Sequence, residues 1–245
     1  MNGYLSEVFG SFEGEGDRVG MPVVFVRLAG CNLGCSYCDT VDAREKTETA
    51  TLYLGKRESQ VANPVSPHKV SDIIGQDFTR YRDVRITGGE PLMQAAFLGE
   101  AAARLGDMGL GLHLETNGTL AAEMAGLRHL FDTVTMDIKL PSTQDGKNLH
   151  AEHAEFLRAL AGGRSPSMAM VKIVVTPECA DEEVAAALRL VAGVNRHVPV
   201  FLQPEFDKTG PVVSGERMMK LMWAGAGLLD DVRISLQMHK ILRMK

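Results

Sequence analysis

Three cysteines stand close enough together in the sequence to hold a metal centre. Cys31, Cys35 and Cys38 form the pattern CxxxCxxC, which supplies three thiolates where a closed metal site needs four. An iron-sulfur cube held by three cysteines keeps one iron open to an added ligand, whereas structural zinc sites and electron-transfer clusters are normally saturated by protein. The spacing therefore predicts a cluster that takes part in chemistry.

Two simpler interpretations of these cysteines are less favoured. A disulfide framework does not suit an odd cluster of three, and no secretory signal is evident before Tyr4. A zinc ion would need Cys179 or His113 as a distant fourth ligand. Cys179 is more simply interpreted as a spare thiol in a loop that enters a helix, so zinc stays open as the weaker alternative.

The composition is typical of a cytoplasmic enzyme. The chain has 245 residues and a net charge of -5, which argues against nucleic-acid binding through a basic surface. No apolar stretch reaches the roughly 20 residues of a membrane-spanning helix. Three of the four cysteines belong to one motif, a usage that suits a reducing compartment. We therefore expect neither a nucleic-acid partner nor a membrane partner.

The elements that must position the cysteines alternate between two periodicities. Runs of branched and aromatic residues predict six buried strands, at 23–28, 84–87, 112–115, 133–138, 171–175 and 198–202. Helical periodicity predicts helices at 70–81, 95–108, 120–130, 151–160, 181–194 and 216–226. This alternation requires parallel pairing, and about six units are too few for a closed eight-stranded barrel. The predicted fold class is α/β, a partial (open) parallel β/α barrel of about six strands.

We expect a single domain, 1–245, in three parts. Residues 1–40 form an N-terminal block for substrate and cluster, and residues 68–245 form the barrel core. Residues 41–67 form a long polar connection between them, predicted to run over the surface. A loop this long in a compact domain is often a lid or a partner contact.

Polar groups follow five of the predicted strands. The carboxyl ends of parallel strands meet at one edge of the sheet, where ligands bind. The cysteine loop follows the first strand, and the later ends carry Thr87-Gly88-Gly89-Glu90-Pro91, Glu115-Thr116-Asn117-Gly118, Asp137-Ile138-Lys139 and Gln203-Pro204-Glu205. Each segment alone could be an ordinary turn. Together they predict one functional rim.

Two sets of motifs resemble known enzymes. CxxxCxxC followed by Gly88-Gly89-Glu90-Pro91 resembles the radical S-adenosylmethionine superfamily. Glu13-Gly14-Glu15-Gly16, Arg27, Cys38-Asp39-Thr40 and the tail Gln237-Met238-His239-Lys240 resemble the 7-carboxy-7-deazaguanine synthase family, over about residues 4 to 242. The resemblance implies conversion of 6-carboxy-5,6,7,8-tetrahydropterin to 7-carboxy-7-deazaguanine with loss of ammonia, in the biosynthesis of queuosine and related 7-deazapurines.

The resemblance also implies cofactors and site residues. The cofactors are a 4Fe–4S cluster on Cys31, Cys35 and Cys38, S-adenosylmethionine, and Mg²⁺ on Thr40. The residues implied at the S-adenosylmethionine site are Tyr37, Cys38, Asp39, Gly89, Glu90, Glu115, Asn117, Asp137, Ile138, Lys139, Gln203, Pro204, Glu205 and Phe206. The residues implied at the pterin site are Phe12, Glu13, Gly14, Glu15, Arg27 and Thr87. No side chain is assigned to catalysis, because a 5′-deoxyadenosyl radical carries the chemistry.

These roles make chemical sense. Arg27 can pair with the substrate carboxylate, and Glu13 or Glu15 can accept from the guanidine-like pterin edge. Mg²⁺ prefers oxygen ligands and keeps waters, so the Thr40 hydroxyl suits it. Glu13 stands where a glutamine is usual in the family, which adds a negative charge near the pterin site.

Two other functions remain possible from the sequence. A glycyl-radical activating enzyme shares the cluster motif and Gly-Gly-Glu-Pro but would not need Arg27 or Thr40. A non-enzymatic zinc or iron-sulfur binding module would need neither cofactor nor pterin site. For the favoured enzyme, reduction of the cluster implies flavodoxin or ferredoxin as electron donor, and the resemblance suggests a homodimer.

Overall fold

One large sheet organises the chain. The structure is a computed structural model, and it describes residues 1–161 and 168–244. The strands in these ranges are β1 Leu5–Phe12, β2 Pro22–Leu28, β3 Thr49–Leu54, β4 Arg57–Ala62, β5 Asp83–Gly88, β6 Gly111–Thr116, β7 Thr133–Ile138, β8 Met168–Val175, β9 Val200–Pro204 and β10 Val232–Ile234. The α-helices are α1 Pro67–Asp77, α2 Ala95–Asp107, α3 Ala121–Leu127, α4 His150–Ala161, α5 Asp181–Asn195, α6 Gly215–Ala226 and α7 Met238–Ile241.

The sheet is mostly parallel and open. Its strand order is β10-β9-β8-β7-β6-β5-β2-β1-β3-β4. All pairs from β2 to β10 along this order are parallel, as the intervening helices require. β1 pairs antiparallel with β2 and parallel with β3. Because β4 and β10 lie at opposite edges, the predicted open β/α barrel is confirmed.

The six predicted strands are confirmed as β2 and β5 to β9, and the six predicted helices as α1 to α6. The sequence did not predict β1, β3, β4 or β10. Serine residues cap the N-termini of α1 and α6. The hydroxyls of Ser66 and Ser214 accept hydrogen bonds from the backbone N–H three residues further along, at 3.1 and 3.2 Å. Pro67 occupies the first position of α1, where no donor is lost.

The segment 41–67 is more than the polar connection that the sequence suggested. It contains the hairpin β3–β4, which continues the sheet beyond β1. β3 buries Ala50 and Leu52, whereas β4 is polar and largely exposed. Charged side chains on an edge strand discourage pairing with other chains, and they also hide the strand from a search for apolar alternation. The division of a single domain at residues 40 and 67 stays a prediction.

The two faces of the parallel strands differ in chemistry. Along each strand, alternate side chains are apolar and enter the core beneath the helices, as Val84 and Ile86 do on β5. Polar residues from several strands lie between them and face the opposite side. The register places these polar residues side by side, with Arg85 beside His113 and Asp137 beside Lys172. One face therefore builds the core and the other offers a polar surface.

No helix among the described residues combines the length and the apolar character that spanning a membrane would require.

Candidate active site

A cavity of about 500 Å³ lies against the polar face of the sheet. All but three of the predicted site residues line it. These lining residues are Phe12, Glu13, Gly14, Glu15, Arg27, Cys31, Cys35, Tyr37, Cys38, Asp39, Thr40, Thr87, Gly89, Glu115, Asn117, Asp137, Lys139, Gln203, Glu205 and Phe206. The structure therefore brings the predicted cluster, cofactor and pterin residues together in one space. Their individual ligand roles stay predictions.

Glu90, Ile138 and Pro204 do not line the cavity. Glu90 is fully buried, and its carboxylate accepts from Leu92 N at 3.0 Å, Thr116 Oγ1 at 2.8 Å and Asn117 N at 2.7 Å. Burial raises the pKa of Glu90 to about 7, although these hydrogen bonds oppose the rise. The side chain therefore ties the end of β5 to the end of β6.

The other two residues are part of the sheet. Ile138 is in the hydrophobic core and Pro204 is buried at the end of β9. Their assignment to the cofactor site stays a prediction.

The three cysteines form one wall of the cavity. All three are free thiols and partly exposed. A turn orders the loop, in which Cys38 N donates to Cys35 O at 3.3 Å and Arg44 Nη2 donates to the same oxygen at 2.5 Å. Burial raises the pKa of the Cys31 thiol. Without a metal the thiol form is favoured here, so cluster binding must displace a proton at this residue.

Gly89 is required where the next strand meets this loop. A Cβ at position 89 would lie 2.3 Å from Gly30 O and 2.8 Å from Cys31 Cβ. Real Cβ atoms do not approach a backbone oxygen so closely, so only glycine fits between the two segments.

The three thiols suit the cluster that the motif predicts. Cys31, Cys35 and Cys38 are free, partly exposed and line one cavity. A cube binds its protein ligands on separate iron atoms, so three thiolates can hold it while one iron stays open to another ligand.

The distant fourth ligands considered for zinc are engaged elsewhere. The His113 ring nitrogens bind Asp83 Oδ1 and Thr133 Oγ1, each at 2.8 Å. The Cys179 thiol is buried and donates to Thr176 O at 3.2 Å. Neither residue lines the cavity.

Lys139 organises the part of the cavity next to the cysteines. Its ammonium donates to Asp137 Oδ2 at 2.6 Å and to the Tyr37 hydroxyl at 3.0 Å, and it lies 5.1 Å from the Tyr37 ring centroid. Burial opposes its charge, but Asp137 and Tyr37 hold the pKa of Lys139 well above its ordinary value. The cation is therefore permanent and fixes both neighbours.

Lys172 lies at the floor of the cavity, and the sequence did not predict it. Its ammonium lies 3.0 Å from Glu15 Oε2 and 3.5 Å from Asp137 Oδ2, and it donates to Glu115 Oε1. Burial alone would raise the pKa of Glu115, but Lys172 and Arg85 hold it well below its usual range. One cation thus neutralises carboxylates from both the predicted pterin residues and the predicted cofactor residues.

Arg85 is a second charged residue that the sequence did not predict. Arg85 Nε donates to Glu13 Oε2 at 2.7 Å, and both side chains are buried. The sequence does hold a signal for Arg85 and Lys172, since each interrupts a run of β-branched residues. A charge at such a position must face a polar space.

The C-terminal segment packs against the predicted pterin residues at one side of the cavity. Met238 N donates to Gly14 O at 3.0 Å, Gln237 Nε2 donates to Glu15 Oε1 at 2.8 Å, and Lys240 pairs with Asp39 at 2.9 Å. Gly14 leaves room for His239, because a Cβ at position 14 would lie 2.2 Å from the His239 ring. Gln237, His239 and Lys240 all line the cavity.

The fold and this site define a radical S-adenosylmethionine enzyme. The model of the Radical SAM superfamily matches residues 25–191, which is more than half of the chain. The superfamily implies a 4Fe–4S cluster and S-adenosylmethionine. The hypothesis of a non-enzymatic metal-binding module is therefore wrong.

Comparison with curated proteins gives the family. The chain is 36% identical to the 7-carboxy-7-deazaguanine synthase of Geobacter sulfurreducens, over 97% of this chain and 96% of that protein. It is 34% identical to the enzyme of the same name from Methanopyrus kandleri, over 96% and 92%. The chain belongs to the 7-carboxy-7-deazaguanine synthase family. The glycyl-radical activating enzyme is thereby disfavoured.

A solved structure supports the fold. The crystal structure of QueE from Escherichia coli superposes with a TM-score of 0.66 and 22% identity, covering 98% of this chain and 95% of that one.

Proposed function

We propose that this protein is a 7-carboxy-7-deazaguanine synthase. It converts 6-carboxy-5,6,7,8-tetrahydropterin to 7-carboxy-7-deazaguanine and releases ammonia. The names of its relatives support the product, and the resemblance of its N-terminal motifs implies the substrate. One observation carries the proposal: three free thiols and the Glu13, Glu15 and Arg27 side chains line one continuous cavity. A radical source and a pterin therefore fit side by side.

The residues beside the cysteines hold the cofactor. When bound, the cluster and S-adenosylmethionine supply a primary carbon radical that can abstract hydrogen. Cys31, Cys35 and Cys38 hold the cluster. The Lys139–Asp137 pair and the end of β6 form the adjoining wall, where Glu115 and Asn117 offer hydrogen-bonding groups to a ribose.

The residues at the other end hold the pterin and Mg²⁺. Arg27 projects into the cavity from β2 and binds Glu7 Oε1 at 2.8 Å, so its guanidinium is oriented before a substrate carboxylate arrives. Glu13 and Glu15 accept from the pterin N–H groups. Thr40 lies beside the cysteine loop, with its hydroxyl 3.8 Å from Cys38 Sγ, and it binds Mg²⁺ together with the substrate carboxylate.

The cellular setting follows from the same assignment. We propose a cytoplasmic homodimer that receives electrons from flavodoxin or ferredoxin. The exposed side chains of Trp223 and Leu228 offer apolar surface for a second copy, whereas Leu221 and Leu229 belong to the core.

Anaerobic reconstitution tests the function. The protein is loaded with iron and sulfide and mixed with the carboxytetrahydropterin, S-adenosylmethionine, Mg²⁺ and a reductant. We expect about four irons per chain and a product with the absorbance and mass of the deazapurine. Cys35→Ala should lose both cluster and product, while Cys179→Ala, which changes a thiol outside the cavity, should retain both. Product from Cys35→Ala, or no product from loaded wild type, would contradict the proposal.

A further inference from the structure

The Glu13–Arg85 pair has an asymmetric geometry. Arg85 Nε and Nη2 both donate to one oxygen, Glu13 Oε2, and Nη1 donates to Thr135 Oγ1 at 3.2 Å. The other oxygen, Glu13 Oε1, accepts no hydrogen bond from the residues that the structure describes. Glu13 also lines the cavity. One carboxylate oxygen is therefore fixed by protein and the other is left for a ligand.

Each partner depends on the other for its place in the fold. Arg85 stands on an interior strand between Val84 and Ile86 and is only 4% exposed, while Glu13 is 7% exposed. A buried guanidinium or carboxylate is strongly unfavourable unless it is paired. Burial raises the pKa of Glu13, and the Arg85 guanidinium opposes that rise. Arg85 thus favours the ionised form of a side chain that stands where the family usually has glutamine.

The difference between carboxylate and amide matters for recognition. An amide offers one acceptor and one donor group, whereas an ionised carboxylate only accepts hydrogen bonds. A carboxylate at this position therefore requires N–H groups on the ligand and repels a ligand oxygen. The 2-amino group and N3–H of a pterin are two adjacent donors that meet this requirement.

We propose that Arg85 is a positioning residue that sets ligand specificity. It holds Glu13 by Oε2, so that Oε1 can accept hydrogen bonds from the 2-amino group and N3–H of the pterin. This inference rests on the proposed function. It adds that the enzyme prefers a pterin with a 2-amino group over its 2-oxo analogue because of the Glu13–Arg85 pair, and not because of Glu13 alone. A 2-oxo analogue places a carbonyl oxygen against Oε1.

A set of four variants tests the role of Arg85. Glu13→Gln, Arg85→Met and the double variant remove one or both partners. Arg18→Met is the matched control. Arg18 pairs at 2.7 Å with Asp83, which is on the same strand as Arg85, but Arg18 does not line the cavity. The measurements are KM and kcat for the carboxytetrahydropterin and for its 2-oxo analogue, together with the thermal midpoint of unfolding.

The expected results separate positioning from folding. Arg85→Met should raise KM for the pterin about tenfold or more, as for the loss of a charge-assisted contact, with a smaller change in kcat. The double variant should unfold at a higher temperature than Glu13→Gln, which leaves the buried charge of Arg85 without a carboxylate. It should also show a preference for the 2-amino compound at least about tenfold weaker than wild type. Arg18→Met should keep the wild-type preference.

Other outcomes overturn the inference in distinguishable ways. An unchanged preference in the double variant, or an equal loss of preference in Arg18→Met, refutes the role of Arg85 while the enzyme assignment stands. If Arg85→Met does not fold, the double variant decides the question. If loaded wild type turns over neither compound, the proposed function fails and this inference fails with it.

Discussion

Lys172 Nζ lies 3.0 Å from Glu15 Oε2, at the point where the two ends of the cavity meet. Glu15 comes from the N-terminal block and Lys172 from the middle of β8, so the contact joins segments that are far apart in sequence. The same ammonium binds Glu115 and approaches Asp137. The predicted pterin residues and the predicted cofactor residues therefore share one cation.

Replacing Lys172 with methionine should affect both ends of the cavity. Three carboxylates would lose their common partner, and breaking a buried ion pair in this way lowers the free energy of unfolding by about 3 to 5 kcal/mol. KM should rise for both the pterin and S-adenosylmethionine. Chemical unfolding and steady-state kinetics measure the two effects. Lys220→Met, which removes an exposed pair with Asp181, should leave the unfolding free energy nearly unchanged, because water screens an exposed ion pair.

Glu90 should make the fold less stable as pH rises. The pKa of Glu90 is about 7 in the folded protein, against an ordinary value of 4.5, so the folded state binds more protons between these pH values. Stability from this group is therefore full below about pH 4.5 and declines up to about pH 7, by about 3 kcal/mol in total. Glu90→Gln should flatten this part of the unfolding free energy profile. A variant profile parallel to that of wild type would contradict the expectation.

Gly89→Ala should prevent cluster assembly. The added Cβ would collide with Gly30 O and Cys31 Cβ, and the clash with backbone is expected to destabilise the fold by about 1 to 3 kcal/mol. Iron content and cluster absorbance after reconstitution measure the result. Gly34→Ala is the matched control in the cysteine loop, because a Cβ there meets nothing within 4 Å. Equal iron contents in the two variants would refute the steric explanation.

Thr40→Val should weaken the magnesium dependence of turnover. The substitution removes the hydroxyl but keeps the shape of the side chain, so a higher Mg²⁺ concentration should be needed for half-maximal activity. A Mg²⁺ titration of initial rates measures this. Thr47→Val removes a hydroxyl outside the cavity and should leave the titration unchanged. If Thr40→Val titrates as wild type does, Thr40 is not a ligand.

The sequence predicted the elements whose pattern is local. The central strands β2 and β5 to β9 are recognisable because branched and aromatic residues are concentrated in short runs, separated by segments with helical periodicity. The residues at their carboxyl ends, such as Asp137 on β7 and Asn117 directly after β6, could therefore be placed at one rim. β3 and β4 were missed because an exposed hairpin has no comparable run, and β10 because it has only three residues.

Local sequence patterns could not predict contacts between segments that are far apart in the chain. Arg85 and Lys172 could have been found as charges inside apolar strands, but their partners Glu13 and Glu15 lie in a loop whose position depends on the whole sheet. The bond between Met238 and Gly14 likewise joins the last helix to the first loop. No spacing within either segment predicts it.

The joining of Gly14 to Met238 also couples two carboxylates to one short helix. Gln237 and Lys240 bind Glu15 and Asp39, and both carboxylates line the cavity. Unwinding of α7 would therefore release Glu15 Oε1 and Asp39 together, so a disturbance of this helix would reach the cavity at two places at once.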